Sequence, residues 1–151
     1  MPKKRLLAVL PAGRHRLHDR LLVREAFEES RLLNELRFVE DGEELLEYLR
    51  RQGRYSSPDA SPRPGLILLD LNMPRMDGRE ALRAIKDDDD LRRIPVVVMT
   101  TSKAEEDVLQ AYGLHANCYV TKPVEFTSFA AVIRTIEKFW FTVVTLPDEP
   151  A

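Results

Sequence analysis

Three residues of different chemistry each close a run that reads as a strand. Asp70 follows Leu66-Ile67-Leu68-Leu69, Thr100 follows Val96-Val97-Val98-Met99, and Lys122 follows the weaker run 117–121, with Pro123 behind it. A strand-end Asp alone is commonly no more than a helix cap. Together, a carboxylate, a hydroxyl and an ammonium suit phosphoryl chemistry. The Asp supplies a nucleophile, the hydroxyl bonds an equatorial oxygen, and the Lys neutralises phosphoryl charge. This works only if the three runs are strands of one sheet read at their carboxyl ends, where open α/β sheets bind ligands.

The flanking sequence supplies that sheet. The two runs above, and Leu6-Leu7-Ala8-Val9-Leu10, are apolar on consecutive residues, the pattern of parallel strands buried on both faces. Weaker strands are expected at 36–40, an edge by its polarity, and at 117–121. Helical faces lie between them: Leu21, Leu22 and Ala26; Leu45, Leu46 and Leu49; Ala81, Leu82 and Ile85; Val108, Leu109 and Tyr112. Asp41, Asp77 and Ser102 each stand three residues before a Glu, a helix-start signal. Five strands alternating with five helices predict a doubly wound α/β domain with a five-stranded parallel sheet. The loop 52–64, rich in Ser, Pro and Gly, reads as a solvated excursion.

Composition narrows the classes further. The chain has 151 residues, 44% hydrophobic and 32% charged, with a formal charge of −2, ordinary values for one globular domain. No run approaches the ~18 apolar residues of a membrane span. The single Cys118 makes no internal disulfide, which fits a cytoplasmic location. The charge is uneven: residues 1–24 carry seven cations and one acid, +6, leaving −8 for the rest. A nucleic-acid binder would carry its basic face across the whole domain, so neither nucleic acid nor membrane is an expected partner.

The segments Leu68-Leu69-Asp70-Leu71-Asn72-Met73-Pro74 with Asp77-Gly78, then Thr100, then Tyr119-Val120-Thr121-Lys122-Pro123 resemble the receiver domains of two-component response regulators. The resemblance covers nearly the whole chain and implies the flavodoxin-like strand order 2-1-3-4-5. It implies that Asp70 accepts a phosphoryl group from a sensor histidine kinase, with Mg²⁺ held by Asp70 and the Asn72 backbone carbonyl. Lys122 and Thr100 would contact the phosphoryl group, and Thr100 and Tyr119 would form a switch pair. Tyr119 also reads as plain packing. The long 52–64 loop and the tail 137–147 are similar to single-domain regulators that partner bacterial phytochromes, so a phytochrome kinase is the implied partner. That resemblance implies a receiver domain over 1–141, a tail at 142–151 and no output domain. Such a protein is not an enzyme beyond its own phosphorylation and dephosphorylation.

The last helix carries Phe126, Phe129, Ile133, Ile136 and Trp140 at core-facing spacing, and Val132, Phe139 and Val143 extend the apolar surface beyond it. A broad core contact explains this, as does a homodimer interface through Val132, Phe139, Trp140 and Val143. The subgroup's dimers favour the second.

One part of the family pattern is missing. The acidic pair expected after the first strand falls on Leu10 and Pro11, or on His15 and Arg16 when counted back from the first helix. Asp19 is the nearest acid and the remaining candidate metal ligand. Mg²⁺ binding through Asp70, Asn72 and Asp19 is therefore expected to be weak. Three readings follow: a working site with a weakened metal, helped by Arg14 or Arg16; a pseudo-receiver that binds partners without phosphorylation; or a reading-frame disturbance over 8–18. A hydrolase with an aspartyl-phosphate intermediate would carry an acid two residues after Asp70, where Asn72 stands. His15 and His18 read as part of an exposed basic loop, and His115 as a turn residue.

Overall fold

The computed structural model describes residues 4–9, 20, 21, 23–25, 28, 33–57, 61–71, 78–100, 102–114, 116, 118–121, 130, 131 and 134. In chain order the elements are β1 (Lys4–Val9), β2 (Leu33–Val39), α1 (Gly42–Arg50), β3 (Leu66–Asp70), α2 (Gly78–Asp87), β4 (Val96–Thr100), α3 (Lys103–Ala111) and β5 (Cys118–Thr121). Helical residues also occur within 20–28 and 130–134, where the first and last helices were expected. The strands form one sheet in the order β2-β1-β3-β4-β5, and every pairing is parallel.

The consecutive apolar runs explain why β1, β3 and β4 occupy the centre. Leu7, Val9, Ile67, Leu69, Val96 and Val98 form one cluster with Leu45, Ala81, Ile85 and Leu109 of the three helices. The alternate residues Leu6, Ala8, Leu66, Leu68, Val97 and Met99 are just as buried, so the opposite face is covered as well. Val23 and Ala130 are the buried residues described in the 20–28 and 130–134 helical segments. Each such Leu, Ile or Val contributes about 1.5–3 kcal/mol on leaving water.

Two helix starts use the expected caps. The Glu44 amide donates to Asp41 Oδ1 at 2.8 Å, and the Glu105 amide donates to Ser102 Oγ at 3.3 Å. Glu44 completes the first cap by accepting from the Glu40 amide. Asp77 lies outside the described residues.

Four expectations need correction. β2 begins at Leu33 rather than 36, because Asn34, Glu35 and Arg37 are tolerated on an edge strand. Its Glu35 is bridged by Arg5 and Arg37. Tyr112 does not share the buried face of α3. The helix ends at Ala111, Gly113 turns the chain at φ 73°, and Leu114 is buried while Tyr112 is 68% exposed. In the 20–28 segment Leu21 faces out and Val23 faces in. Finally, the 52–64 loop is tied down. The Tyr48 hydroxyl donates to the Pro62 carbonyl at 2.7 Å, and the buried Ser61 hydroxyl donates to the Tyr55 carbonyl at 2.9 Å.

Candidate functional site

The strand register brings two of the three reactive residues to one edge. Asp70 is the last residue of β3 and pairs with Met99; Thr100 is the next residue of β4. Neighbouring strands lie about 4.8 Å apart, so the two residues end adjacent strands at the same carboxyl edge of the sheet, one step out of register. Both are fully buried. Thr100 pairs with Thr121, the residue before Lys122. Lys122 itself lies outside the described residues, as do Asn72, Asp19 and the interface candidates Val132, Phe139, Trp140 and Val143.

Burying a polar group is costly unless it is hydrogen-bonded. Among the described residues four polar side chains are buried: Asp41, Ser61, Asp70 and Thr100. Asp41 caps α1 and Ser61 donates to Tyr55, whereas Thr100 Oγ1 has no hydrogen-bond partner. An unpaired buried hydroxyl costs about 1–3 kcal/mol. It ends β4 at the same carboxyl edge as Asp70, one residue beyond Asp70's register partner.

Tyr119 shares a face with Thr100. It pairs with Val98, two residues before Thr100 on β4, and packs against the same core cluster as Val98. Diagonal neighbours of this kind are within reach of an aromatic side chain. The Tyr119 hydroxyl accepts from the Ala116 amide at 3.3 Å, so the ring is tethered to the segment that leads into β5.

Gly78 is a feature that the motif contained but whose reason only the fold reveals. It opens α2, and its amide donates to the Leu71 carbonyl at 3.1 Å. A Cβ here would sit 2.6 Å from Leu71 Cα and 2.9 Å from the Asp70 carbonyl oxygen. The start of α2 is thus pressed directly onto the backbone that carries the candidate phosphoacceptor.

The described residues contain no group of three His, Cys, Asp or Glu side chains that could hold a metal ion. The acidic run 87–90 is no substitute. Asp87 ends α2, nine residues and ~13 Å along the helix from Gly78. Asp88 is used locally, its Oδ1 accepting from the Asp90 and Leu91 amides. No described helix is long and apolar enough to cross a membrane.

Comparison with known proteins agrees with this architecture. The response regulator receiver domain model matches residues 17–134. Response regulator Rcp1 of Synechocystis sp. is 48% identical over 129 residues, 85% of this chain and 86% of that protein. Among solved structures, the phosphorylated cyanobacterial phytochrome response regulator RcpA superposes with a TM-score of 0.78 at 41% identity, covering 97% of this chain and 100% of that one. The Mn²⁺-bound form of Rcp1 gives 0.75 at 45% identity, with 95% and 99% covered. A bacteriophytochrome response regulator, RtBRR, gives 0.79 at 38% identity over 97% of this chain and 85% of that one. The chain belongs to the response regulator receiver domain family.

Proposed function

We propose that this receiver domain is a single-domain response regulator phosphorylated on Asp70 by a sensor histidine kinase, a phytochrome being the kinase suggested by its relatives. The observation that carries the reading is the buried, unpartnered Thr100 hydroxyl at the strand-end edge that also carries Asp70. The Asp70 carboxylate attacks phosphorus, the P–N bond to the donor imidazole breaks, and its electron pair stays on the imidazole ring. Thr100 donates to an equatorial phosphoryl oxygen and gains the partner it lacks. Lys122 offsets the added negative charge. As Thr100 is drawn to the phosphoryl group, Tyr119 on the same face repacks, and the changed surface alters partner affinity.

A divalent cation, Mg²⁺ by family resemblance, would be held by Asp70, the Asn72 carbonyl and Asp19, where it would neutralise charge on the phosphoryl oxygens. With the acidic pair replaced by Leu10 and Pro11, or by His15 and Arg16 counted back from the first helix, affinity is expected to be weak. The last helix and tail form a homodimer through Val132, Phe139, Trp140 and Val143.

The test is incubation with acetyl phosphate and Mg²⁺ followed by intact mass. The wild type gains one phosphoryl group and Asp70→Asn gains none. No gain in the wild type, together with no Mg²⁺ or Mn²⁺ binding that depends on Asp70, would identify a phosphorylation-independent pseudo-receiver instead.

A further inference from the structure

α2 turns Ala81, Leu82 and Ile85 into the core. Its other side carries Arg79, Arg83 and Asp87, all exposed and spaced four residues apart, so they form one ridge along the helix. An open groove of 490 Å³ runs between this ridge and the turn after α3, where Tyr112 and Leu114 line it. Tyr112 is the most exposed large hydrophobic side chain among the described residues.

Exposed charges nearby find partners within a turn of chain: Lys103 bonds Glu106 on α3, and Arg92 bridges to Asp89. Among the described residues Arg79, Arg83 and Asp87 enter no ion pair and no side-chain hydrogen bond. Glu80, which also lines the groove, has a contact of its own. Two guanidiniums and two carboxylates leave the lining without net charge, so it attracts neither a simple anion nor a simple cation. What the ridge carries is an order, positive toward the start of α2 and negative at its end. Charge complementarity therefore calls for a surface with the reverse order.

An antiparallel copy of α2 presents that reverse order. About a two-fold axis at Arg83, position 79 faces position 87 of the copy, and the same contact is made twice. Arg83 would then lie between the copy's Glu80 and Asp87, and the copy would cover Tyr112. Antiparallel packing also sets the positive start of each helix dipole beside the negative end of the other. Ala84, small and beside the ridge, lets the helices approach.

We propose that two chains of this protein associate through antiparallel α2 helices, with Arg79 of each paired to Asp87 of the other. So small and charged a contact belongs to the weak class of interfaces. It depends neither on phosphorylation of Asp70 nor on the last helix.

¹⁵N spectra of the full chain between about 0.05 and 1 mM test it. The Arg79, Arg83 and Tyr112 amide signals should move with concentration, with half-association of order 1 mM. Arg79→Asp sets acid against acid and Asp87→Arg sets base against base, so each should weaken the association at least about tenfold. Both sites are exposed, and each reversal suits its end of the helix dipole, so the variants fold. An equimolar mixture of the two variants should associate as the wild type does, since every pair again joins opposite charges. Such rescue reports a contact between molecules rather than within one. Trp140→Ala should leave these shifts in place, which separates the contact from one through the last helix. Signals that stay fixed up to 1 mM, that move equally in either single variant, that the mixture fails to restore, or that Trp140→Ala abolishes would overturn the proposal.

Discussion

Replacing Gly78 by Ala opposes two physical effects whose signs differ. Gly78 is not among the glycines with positive φ, so the left-handed region plays no part. On helix propensity alone, Gly→Ala should stabilise by up to about 1 kcal/mol. The surroundings argue the reverse. The added methyl would meet Leu71 Cα at 2.6 Å, the Asp70 carbonyl oxygen at 2.9 Å and the Leu71 carbonyl oxygen at 3.0 Å. Ordinary carbon contacts lie near 3.5–4.0 Å, so roughly 1 Å must be found. All three obstacles are backbone, so no side chain can rotate away. Either α2 or the end of β3 must move, at a typical overpacking cost of about 1–3 kcal/mol. Moving α2 also strains the Gly78–Leu71 hydrogen bond, worth about 1 kcal/mol. The balance is a net loss of about 1–3 kcal/mol, measurable by urea denaturation with Arg79→Ala, an exposed neighbour, as the control. Because Asp70 is one of the displaced groups, phosphorylation by acetyl phosphate should slow by roughly tenfold or more. A variant as stable as the wild type, or more so, would refute the packing argument.

Four further outcomes are expected. Thr100→Val removes the unpaired hydroxyl, so the unphosphorylated protein should gain roughly 1 kcal/mol in urea denaturation. An equal loss would mean that the hydroxyl is bonded in the resting state. Burial, aided at Tyr55 by its bond to Glu44, pushes the Tyr48 and Tyr55 phenols up to about 12. Both folded values exceed the ordinary 10.0, so their contribution is complete below pH 10 and lost as pH rises through about 12. Phenolate absorbance that rises in one step near the ordinary value while the chain stays folded would contradict this. The Leu91 and Asp90 amides hold the Asp88 carboxyl below its ordinary 3.8, so its contribution is present above about pH 4 and lost as pH falls through the lower folded value. Asp88→Ala should cost about 1 kcal/mol at neutral pH and flatten the acid limb of stability. Light scattering should give about twice the 17.4 kDa chain mass, reduced by Trp140→Ala or by deletion beyond Lys138, whereas a monomer at ~100 μM would count against the dimer.

The central strands were legible in the sequence because burial on both faces leaves an unbroken apolar run, as in 66–69 and 96–99. Their terminal residues then pointed to Asp70 and Thr100. β2 was legible only in its second half: an edge strand needs one sheltered side, and Glu35 with its two arginines erases the pattern. Tyr112 fitted the α3 periodicity until Gly113 ended the helix. The bracing of the 52–64 loop was not legible, since Tyr48 and Arg51 bond to backbone carbonyls that every residue carries. The crowding at Gly78 depends on how closely α2 approaches β3, a distance that no local pattern encodes.

The all-parallel register also bears on how the chain folds. No strand can zip against its sequence neighbour through a tight turn, and each pairing must wait for a crossover. The most distant is β1 with β3, where Leu6 pairs with Leu66 across sixty residues. The β3–β4 and β4–β5 pairings join much nearer segments, Ile67 with Val96 and Val97 with Cys118. Loop closure favours the shorter spans, so the half holding Asp70 and Thr100 is poised to assemble before β1 docks along its flank. The edge that carries Asp70 and Thr100 would then be formed early, and the basic amino-terminal segment would be the last part added to it.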